Sequence, residues 1–130
     1  FIENISKAAK LIGIAFQVRD DLLDYGVSKG NIGKPEMQDI LEDKITYPLY
    51  FALKYSNKKD SSKILKKLKN KDFSIEEVAD FVSSSNAFNK CNSLIQNYNN
   101  EISKCINQIS NKEIRDEMLN LSESLKNRYE

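Results

Sequence analysis

The sequence predicts an all-α protein, an antiparallel helix bundle, and three observations support this. Only four glycines and two prolines occur in 130 residues. No stretch keeps the alternation of apolar and polar residues that indicates a strand. Several stretches instead place apolar residues three and four positions apart, which puts them on one face of a helix. Because glycine and proline interrupt helices, their scarcity favours long helices joined by few loops.

At 130 residues the chain has the size and the composition of one soluble globular domain, and no boundary divides residues 1–130. A net charge of +1 gives no bulk attraction to nucleic acid or to an anionic membrane surface. No apolar run approaches the roughly 20 residues of a membrane span. Cys91 and Cys105 would be about 21 Å apart on one helix, too far for a disulfide. Free thiols predict a reducing, cytoplasmic setting. Without an initiator methionine or signal peptide, we expect the chain to begin partway through a longer protein.

The first helix is predicted from Ile2 to Tyr25, ending at Gly26. Residues 8–18 are apolar nearly all round, which is typical of a buried helix. A loop over residues 26–36 follows and holds three of the four glycines. A short helical turn is expected at residues 38–44. The next helix begins near Thr46, a plausible N-cap, with Pro48 in its first turn. Its predicted core positions are Tyr47, Leu49, Tyr50, Phe51, Ala52 and Leu53.

The second half of the chain predicts further helices. The lysine-rich residues 61–70 are interpreted as a solvated face and not as a binding patch. Ser74 with Glu77 forms a capping box that opens a helix over residues 75–84. A long helix over residues 87–109 follows, with apolar Leu94, Ile95, Tyr98, Ile102 and Ile106. Ser110 with Glu113 forms a second capping box for a last helix that ends near Arg128, with Ile114, Met118, Leu121 and Leu125 inward.

Three carboxylates, Asp20, Asp21 and Asp24, end the first helix. Asp20 and Asp24 are one turn apart, and Gly13 and Gln17 extend their stripe backwards. Like charges at this spacing repel, and a divalent cation reverses that repulsion. The ligands are oxygens and the chain has no histidine, so Mg²⁺ fits better than Zn²⁺. A solvated acidic face is the alternative. Acids at the end of an apolar helix favour a cleft instead, where Lys34 and Lys44 would supply positive charge to phosphates.

Around these acids the sequence resembles the second aspartate-rich region of the trans-isoprenyl diphosphate synthases, the polyprenyl synthase family. The resemblance spans about a quarter of the chain, and residues 49–130 carry no quotable motif. Met37 and Asp43 occupy places where bacterial members usually have glycine. The matching residues are Gly13, Ala15, Phe16, Gln17, Asp20, Asp21, Asp24, Gly33, Lys34, Pro35, Asp39, Lys44, Thr46 and Pro48.

The resemblance implies the C-terminal half of an isoprenoid synthase fold and a Mg²⁺-dependent prenyltransferase. It would condense an allylic diphosphate with isopentenyl diphosphate and act as a homo-oligomer, a dimer. Asp20 would be the direct metal ligand, while Asp21 and Asp24 bind more loosely or orient metal-bound water. The family's first aspartate-rich motif lies upstream, so we expect the chain alone to be inactive. The implied catalytic and substrate-binding residues are Phe16, Gln17, Lys34 and Lys44.

Three alternatives stay open at this point. One is a terpene cyclase of the same fold, although the Gly-Lys-Pro and Lys-Ile-Thr-Tyr-Pro segments favour a prenyl synthase. Another is a non-catalytic helical subunit of a heteromeric prenyl synthase. The third is a helical interaction module whose acids are only a solvated face. The product chain length does not follow from these residues.

Overall fold

A computed structural model describes residues 2–28, 31–32 and 36–127. These residues form an all-α structure, as predicted, with one two-residue antiparallel pair of strands. The pair, β1 (Val27–Ser28) and β2 (Asn31–Ile32), lies in the predicted loop and was not expected. In the described ranges the helices are α1 (Ile2–Asp24), α2 (Gln38–Leu41), α3 (Tyr47–Tyr55), α4 (Lys58–Lys69), α5 (Ile75–Ser84), α6 (Ala87–Asn107) and α7 (Lys112–Asn127).

Helix α1 is the element on which the rest of the fold is assembled, and it packs most extensively against α6. Its buried positions recur every three or four residues, as one helix face requires. Ala9 and Gly13 lie on the opposite side and are exposed, so α1 is buried on one face and not all round. The buried residues of α1 are Ala8, Ile12, Ala15, Val18, Asp21 and Leu22.

Helix α3 begins where the sequence predicted, with Thr46 at the N-cap position and Pro48 in the first turn. The Thr46 side chain makes no capping hydrogen bond. Leu49 and Ala52 are fully buried, as predicted. The core assignment of Tyr50 is wrong, because its side chain is 49% exposed. Tyr50 follows Leu49 by about 100° around the helix, which turns it away from the core.

Helices α4 and α5 are fixed by side-chain caps and by one bond to α3. Asn57 caps α4 by accepting a hydrogen bond from the Asp60 amide at 2.9 Å. The Ser61 hydroxyl donates to the Leu53 carbonyl at 2.7 Å and holds α4 against α3. Ser74 caps α5 by accepting from the Glu77 amide at 3.1 Å, which confirms that predicted N-terminus. The Glu77 carboxylate pairs with Lys67 of α4.

Helix α6 ends at Asn107, two residues before the predicted end, and α7 begins at Lys112. The predicted cap of α7 is wrong: Asn111, not Ser110, accepts the hydrogen bond from the Ile114 amide, at 3.1 Å. Leu121 is also wrong as an inward residue, since it is 47% exposed and the neighbouring Ser122 is buried. The predicted end near Arg128 lies outside the described residues.

Both cysteines lie on α6 as buried free thiols, as the sequence predicted. Burial raises the pKa of the Cys91 thiol to about 12. A thiol with so high a pKa is a poor nucleophile at neutral pH, so Cys91 serves packing. Among the helices of the described ranges, none is long and apolar enough to cross a membrane.

Candidate functional site

The predicted stripe is present at the C-terminal end of α1. Gly13, Gln17 and Asp20 are exposed on one side of the helix, and Asp24 is half-buried at its end. A Cβ added at Gly13 would meet no atom within 4 Å, so packing within this chain does not require glycine there. Asp21, one position round the helix, is only 4% exposed. The three carboxylates therefore occupy three different environments.

Asp24 anchors the short helix α2. Its Oδ1 accepts a hydrogen bond from the Gln38 amide at 2.8 Å, and its Oδ2 accepts from the Asp39 amide at 3.1 Å. The Asp24 carbonyl oxygen accepts two more, from the amides of Glu36 and Met37, each at 3.0 Å. The first amides of a helix have no partner within the helix, and a carboxylate is well suited to satisfy them. Asp24 thus fixes the position at which the chain leaves the loop and begins α2.

Asp21 anchors the start of α3 in the same way. Its Oδ2 accepts from the Tyr47 amide at 3.0 Å, and its Oδ1 accepts from the Gln17 side-chain amide at 2.8 Å. Desolvation raises the pKa of Asp21, the two hydrogen bonds oppose that rise, and the charges of Asp20 and Asp24 add to it. Burial is the largest of these effects, so Asp21 is held as part of the core and not as a solvated acid.

Asp20 is the carboxylate that is left for a ligand. It is exposed, and within the described part of the chain it accepts no hydrogen bond and forms no ion pair. Mg²⁺ commonly takes one or two protein carboxylates, substrate phosphate oxygens and several waters. One open carboxylate beside two anchored ones fits such an ion. Across the residues that the structure describes, no three acidic or cysteine side chains are grouped closely enough to hold a metal by themselves. Joint ligation by Asp20, Asp21 and Asp24 stays a prediction.

Of the two lysines of the predicted site, the structure describes Lys44. Lys44 is exposed and pairs with Glu42 at 2.9 Å, and this hydrogen bond raises the pKa of Lys44. Its backbone amide donates to the Asp39 carbonyl at 2.9 Å, which ties it to the segment that Asp24 anchors. Desolvation raises the pKa of Asp39, and the charge of Asp24 adds to that rise. Lys34 lies outside the described residues. Phe16 is half-buried on α1, and its predicted role stays a prediction.

Comparison with known proteins decides the family. A family model described as Polyprenyl synthetase matches residues 1–85. The chain belongs to the polyprenyl synthetase family. Heterodimeric geranylgeranyl pyrophosphate synthase large subunit 1, chloroplastic, from Arabidopsis thaliana is 44% identical over 55 residues, 42% of this chain and 15% of that protein. A short chain isoprenyl diphosphate synthase from Methanocaldococcus jannaschii is 35% identical over 80 residues, 62% of this chain and 24% of that protein.

The chain therefore spans less than a quarter of the length of these two synthases. A further relative, heterodimeric geranylgeranyl pyrophosphate synthase large subunit 2 from Arabidopsis thaliana, is 38% identical over 88 residues, 63% of this chain and 22% of that protein. No solved structure matches the chain at a significant level. The family assignment thus rests on sequence.

In this polyprenyl synthetase chain the anchoring by Asp21 and Asp24 was not predicted. The sequence held a partial indication of it, at α2 alone. Met37 precedes α2 and has no side chain that could cap a helix, whereas Thr46 before α3 could have served as a cap and does not do so in the structure. Helix starts without a local cap need an acceptor from elsewhere in the chain. The separations of fourteen and twenty-six residues from Asp24 to Gln38 and from Asp21 to Tyr47 hide these partners from a local sequence pattern.

The two departures from glycine in this family coincide with left-handed backbone. Met37 has φ 57° and Asp43 has φ 60°. Side chains other than glycine pay roughly 1 kcal/mol in this region, because Cβ crowds the following carbonyl. Met37 is fully buried, whereas Asp43 is exposed and contributes only a solvated ion pair to Lys71. Burial of the Met37 side chain therefore offsets the cost of its left-handed backbone, whereas the exposed ion pair of Asp43 offsets little of that cost.

This difference predicts opposite effects of the two glycine substitutions. Asp43→Gly should raise the free energy of unfolding by up to about 1 kcal/mol, since it removes strain and little else. Met37→Gly should lower it by about 2 kcal/mol, because a fully buried side chain is lost. Urea denaturation followed by circular dichroism measures both. A stabilising Met37→Gly would contradict the assignment of this side chain to the core.

Proposed function

We propose that this chain belongs to an isoprenyl diphosphate synthase that condenses an allylic diphosphate with isopentenyl diphosphate. The observation that carries the proposal is the open Asp20 carboxylate, set beside two acids that already anchor helices. Gly13 lies on the same exposed stripe as Gln17 and Asp20, and a Cβ added at Gly13 would meet no atom within 4 Å. That arrangement supports a ligand face along α1 better than it supports a generic solvated helix.

The reaction breaks the allylic carbon–oxygen bond, and the diphosphate leaves with the electron pair. The double bond of isopentenyl diphosphate then forms the new carbon–carbon bond, and the proton it releases passes to the diphosphate. Mg²⁺ held at Asp20 would neutralise charge that develops on the leaving group. Lys44 and Lys34 would contact phosphate oxygens, and preorganised positive charge of this kind favours ionisation. No side-chain base is required, which suits a chain without histidine.

One hydrogen bond supports the role proposed for Gln17. Its side-chain nitrogen donates to Asp21 at 2.8 Å, so the amide is fixed in orientation and its oxygen is directed elsewhere. A fixed carbonyl oxygen near an allylic cation would stabilise positive charge. Phe16 would line the same cavity, where an aromatic face tolerates a nearby cation. A dimeric assembly and a cytoplasmic location stay predictions, and one relative named above is chloroplastic.

The direct test uses the complete product of the gene that encodes this chain. It is incubated with radiolabelled isopentenyl diphosphate, farnesyl diphosphate and Mg²⁺, and the elongated product is extracted into organic solvent. We expect product that disappears with chelator. Cyclic hydrocarbons formed without isopentenyl diphosphate would indicate a terpene cyclase, and no product of either kind would overturn the proposal. The 130-residue chain tested alongside should form none, because the resemblance places the first aspartate-rich motif upstream.

Lys44 and Lys112 offer a matched pair for the phosphate contact. Both are exposed lysines near a helix boundary. Lys44→Ala in the complete protein should weaken allylic diphosphate binding about tenfold, because a charge-assisted hydrogen bond is lost. Lys112→Ala should leave binding unchanged. The exposed ion pair from Lys44 to Glu42 contributes little to stability, so the fold should survive. Similar losses in both variants would mean a general charge effect and would exclude a phosphate contact at Lys44.

A further inference from the structure

Helix α4 carries a lysine face that the proposed chemistry does not use. At about 100° per residue its exposed lysines lie within an arc of about 140°. Ser61 and Ile64 are buried on the other side. Lys67 stands at the flank and pairs with Glu77. The lysine face consists of Lys58, Lys59, Lys63, Lys66 and Lys69, all of them exposed.

The lysine face has no acidic partner within the described part of the chain. Every ion pair among the described residues involves a lysine outside this face. None of the five lysines takes part in any other hydrogen bond or ion pair there. Without these five, the sequence has 15 basic and 19 acidic residues, a net charge of −4. The overall charge of +1 therefore conceals a strong separation of charge, which the composition alone could not indicate.

Such a face is unfavourable to the isolated helix. Lysines three and four positions apart, such as Lys59 and Lys63 or Lys63 and Lys66, repel each other by a few tenths of a kcal/mol per pair. An anionic surface would convert this repulsion into attraction. The exposed lysines of this face also have long aliphatic side chains that can extend their amino groups to such a surface.

We propose that the lysine face of α4 binds the surface of a bilayer that contains anionic phospholipids. The helix is about 18 Å long, so the face is a flat strip that matches a planar surface. Leu65 is 47% exposed and lies within about 40° of Lys58 and Lys69 around the helix. Leu65 therefore borders the lysine face on one edge and offers the membrane surface one apolar contact beside the charges. The proposal goes beyond the proposed catalysis and does not depend on it.

The absence of arginine from α4 favours lipid over nucleic acid. Arginine provides the forked, bidentate contacts that proteins use on nucleic-acid phosphates and guanine edges. Lysine acts as a point charge, and each lysine near an anionic membrane surface strengthens binding about fivefold. Polyuridylate RNA is therefore the competing ligand to be measured against vesicles.

Vesicle flotation tests this inference with the 130-residue chain, and it separates bound protein from any aggregate. The chain should float with vesicles of phosphatidylglycerol and phosphatidylcholine at low salt and stay behind with phosphatidylcholine alone. High salt should release it, because exposed charges are screened. Failure to float with the mixed vesicles overturns the proposal, as does RNA binding in its place.

A triple substitution assigns the effect to α4. Lys59→Gln, Lys63→Gln and Lys66→Gln together should weaken vesicle binding about a hundredfold. Glutamine keeps a similar helix propensity, so circular dichroism should be unchanged. The control combines Lys7→Gln, Lys104→Gln and Lys112→Gln, which removes the same charge from other helices and should have little effect. Equal losses in the two triple variants would mean bulk charge attraction and would overturn a specific face.

Discussion

Replacing Asp20 by alanine in the complete protein should lower turnover of the proposed reaction on the order of a hundredfold or more, with the fold unchanged. Asp20 is exposed and accepts no hydrogen bond from the described residues, so the protein loses no internal contact. The predicted loss arises because a Mg²⁺ ion at the leaving group would lose a protein carboxylate, and removal of one preorganised electrostatic group commonly costs this much. Steady-state rates at saturating Mg²⁺ and thermal unfolding of the same sample measure the two quantities together.

Two further variants make this result specific. Asp80→Ala removes an exposed acid from α5 and should leave turnover unchanged. Asp24→Ala should reduce turnover less than Asp20→Ala and reduce stability more, because it deprives the amides of Gln38 and Asp39 of their acceptor. Equal loss of turnover in Asp20→Ala and Asp24→Ala would refute the assigned difference between the two acids.

Replacing Asp21 by alanine should lower the free energy of unfolding of the metal-free chain by about 2 kcal/mol, because the Tyr47 amide is left without an acceptor. The Gln17 side chain loses its partner as well. Asp21→Asn keeps a carbonyl oxygen of similar shape and should cost clearly less at neutral pH. Urea titration of the three proteins measures this order. An alanine variant as stable as the parent would exclude the anchoring role.

The pH dependence of stability provides a second measurement on Asp21. Burial raises its pKa in the folded chain above the value of 3.8 in the unfolded chain. The folded chain therefore binds the proton more tightly, and the contribution of Asp21 is present at low pH and lost as pH rises through the raised pKa. Asp21→Asn does not titrate, so its stability relative to the parent should increase over that range. A decrease over the same range would contradict the sign of the shift.

The helices and their apolar faces could be predicted because they depend on local spacing. Burial of Ala8, Ile12 and Ala15 agrees with the prediction, but the prediction that residues 8–18 are buried nearly all round was wrong, because the opposite face of α1 is exposed. Errors arose where one residue of rotation decides the result, as between Leu121 and Ser122. A one-residue step turns a helical side chain by about 100°, and apolar periodicity does not fix the face that closely near a chain end.

The candidate site was predicted as a set of residues but not as an arrangement. The motif placed Asp20, Asp21 and Asp24 together, and the resemblance ranked Asp20 as the direct metal ligand above the other two. Their separation into one open acid and two anchors depends on the amides of Gln38 and Tyr47, which come from later in the chain. Such contacts form only after the chain has folded back on α1, so no local pattern records them.

The hydrogen bonds that Asp24 accepts from the start of α2 have a consequence for which parts of the sequence can vary in length. Asp24 hydrogen-bonds to residues 36–39, so the two ends of the segment between them are held together. The position of Lys44 therefore does not depend on how many residues that segment contains. Lengthening a closed loop is cheap, at roughly 0.6 kcal/mol for each doubling. Insertions and deletions before Gly33, between residues 25 and 32, should therefore accumulate among homologues, while the residues that hydrogen-bond to Asp24 keep their position in space.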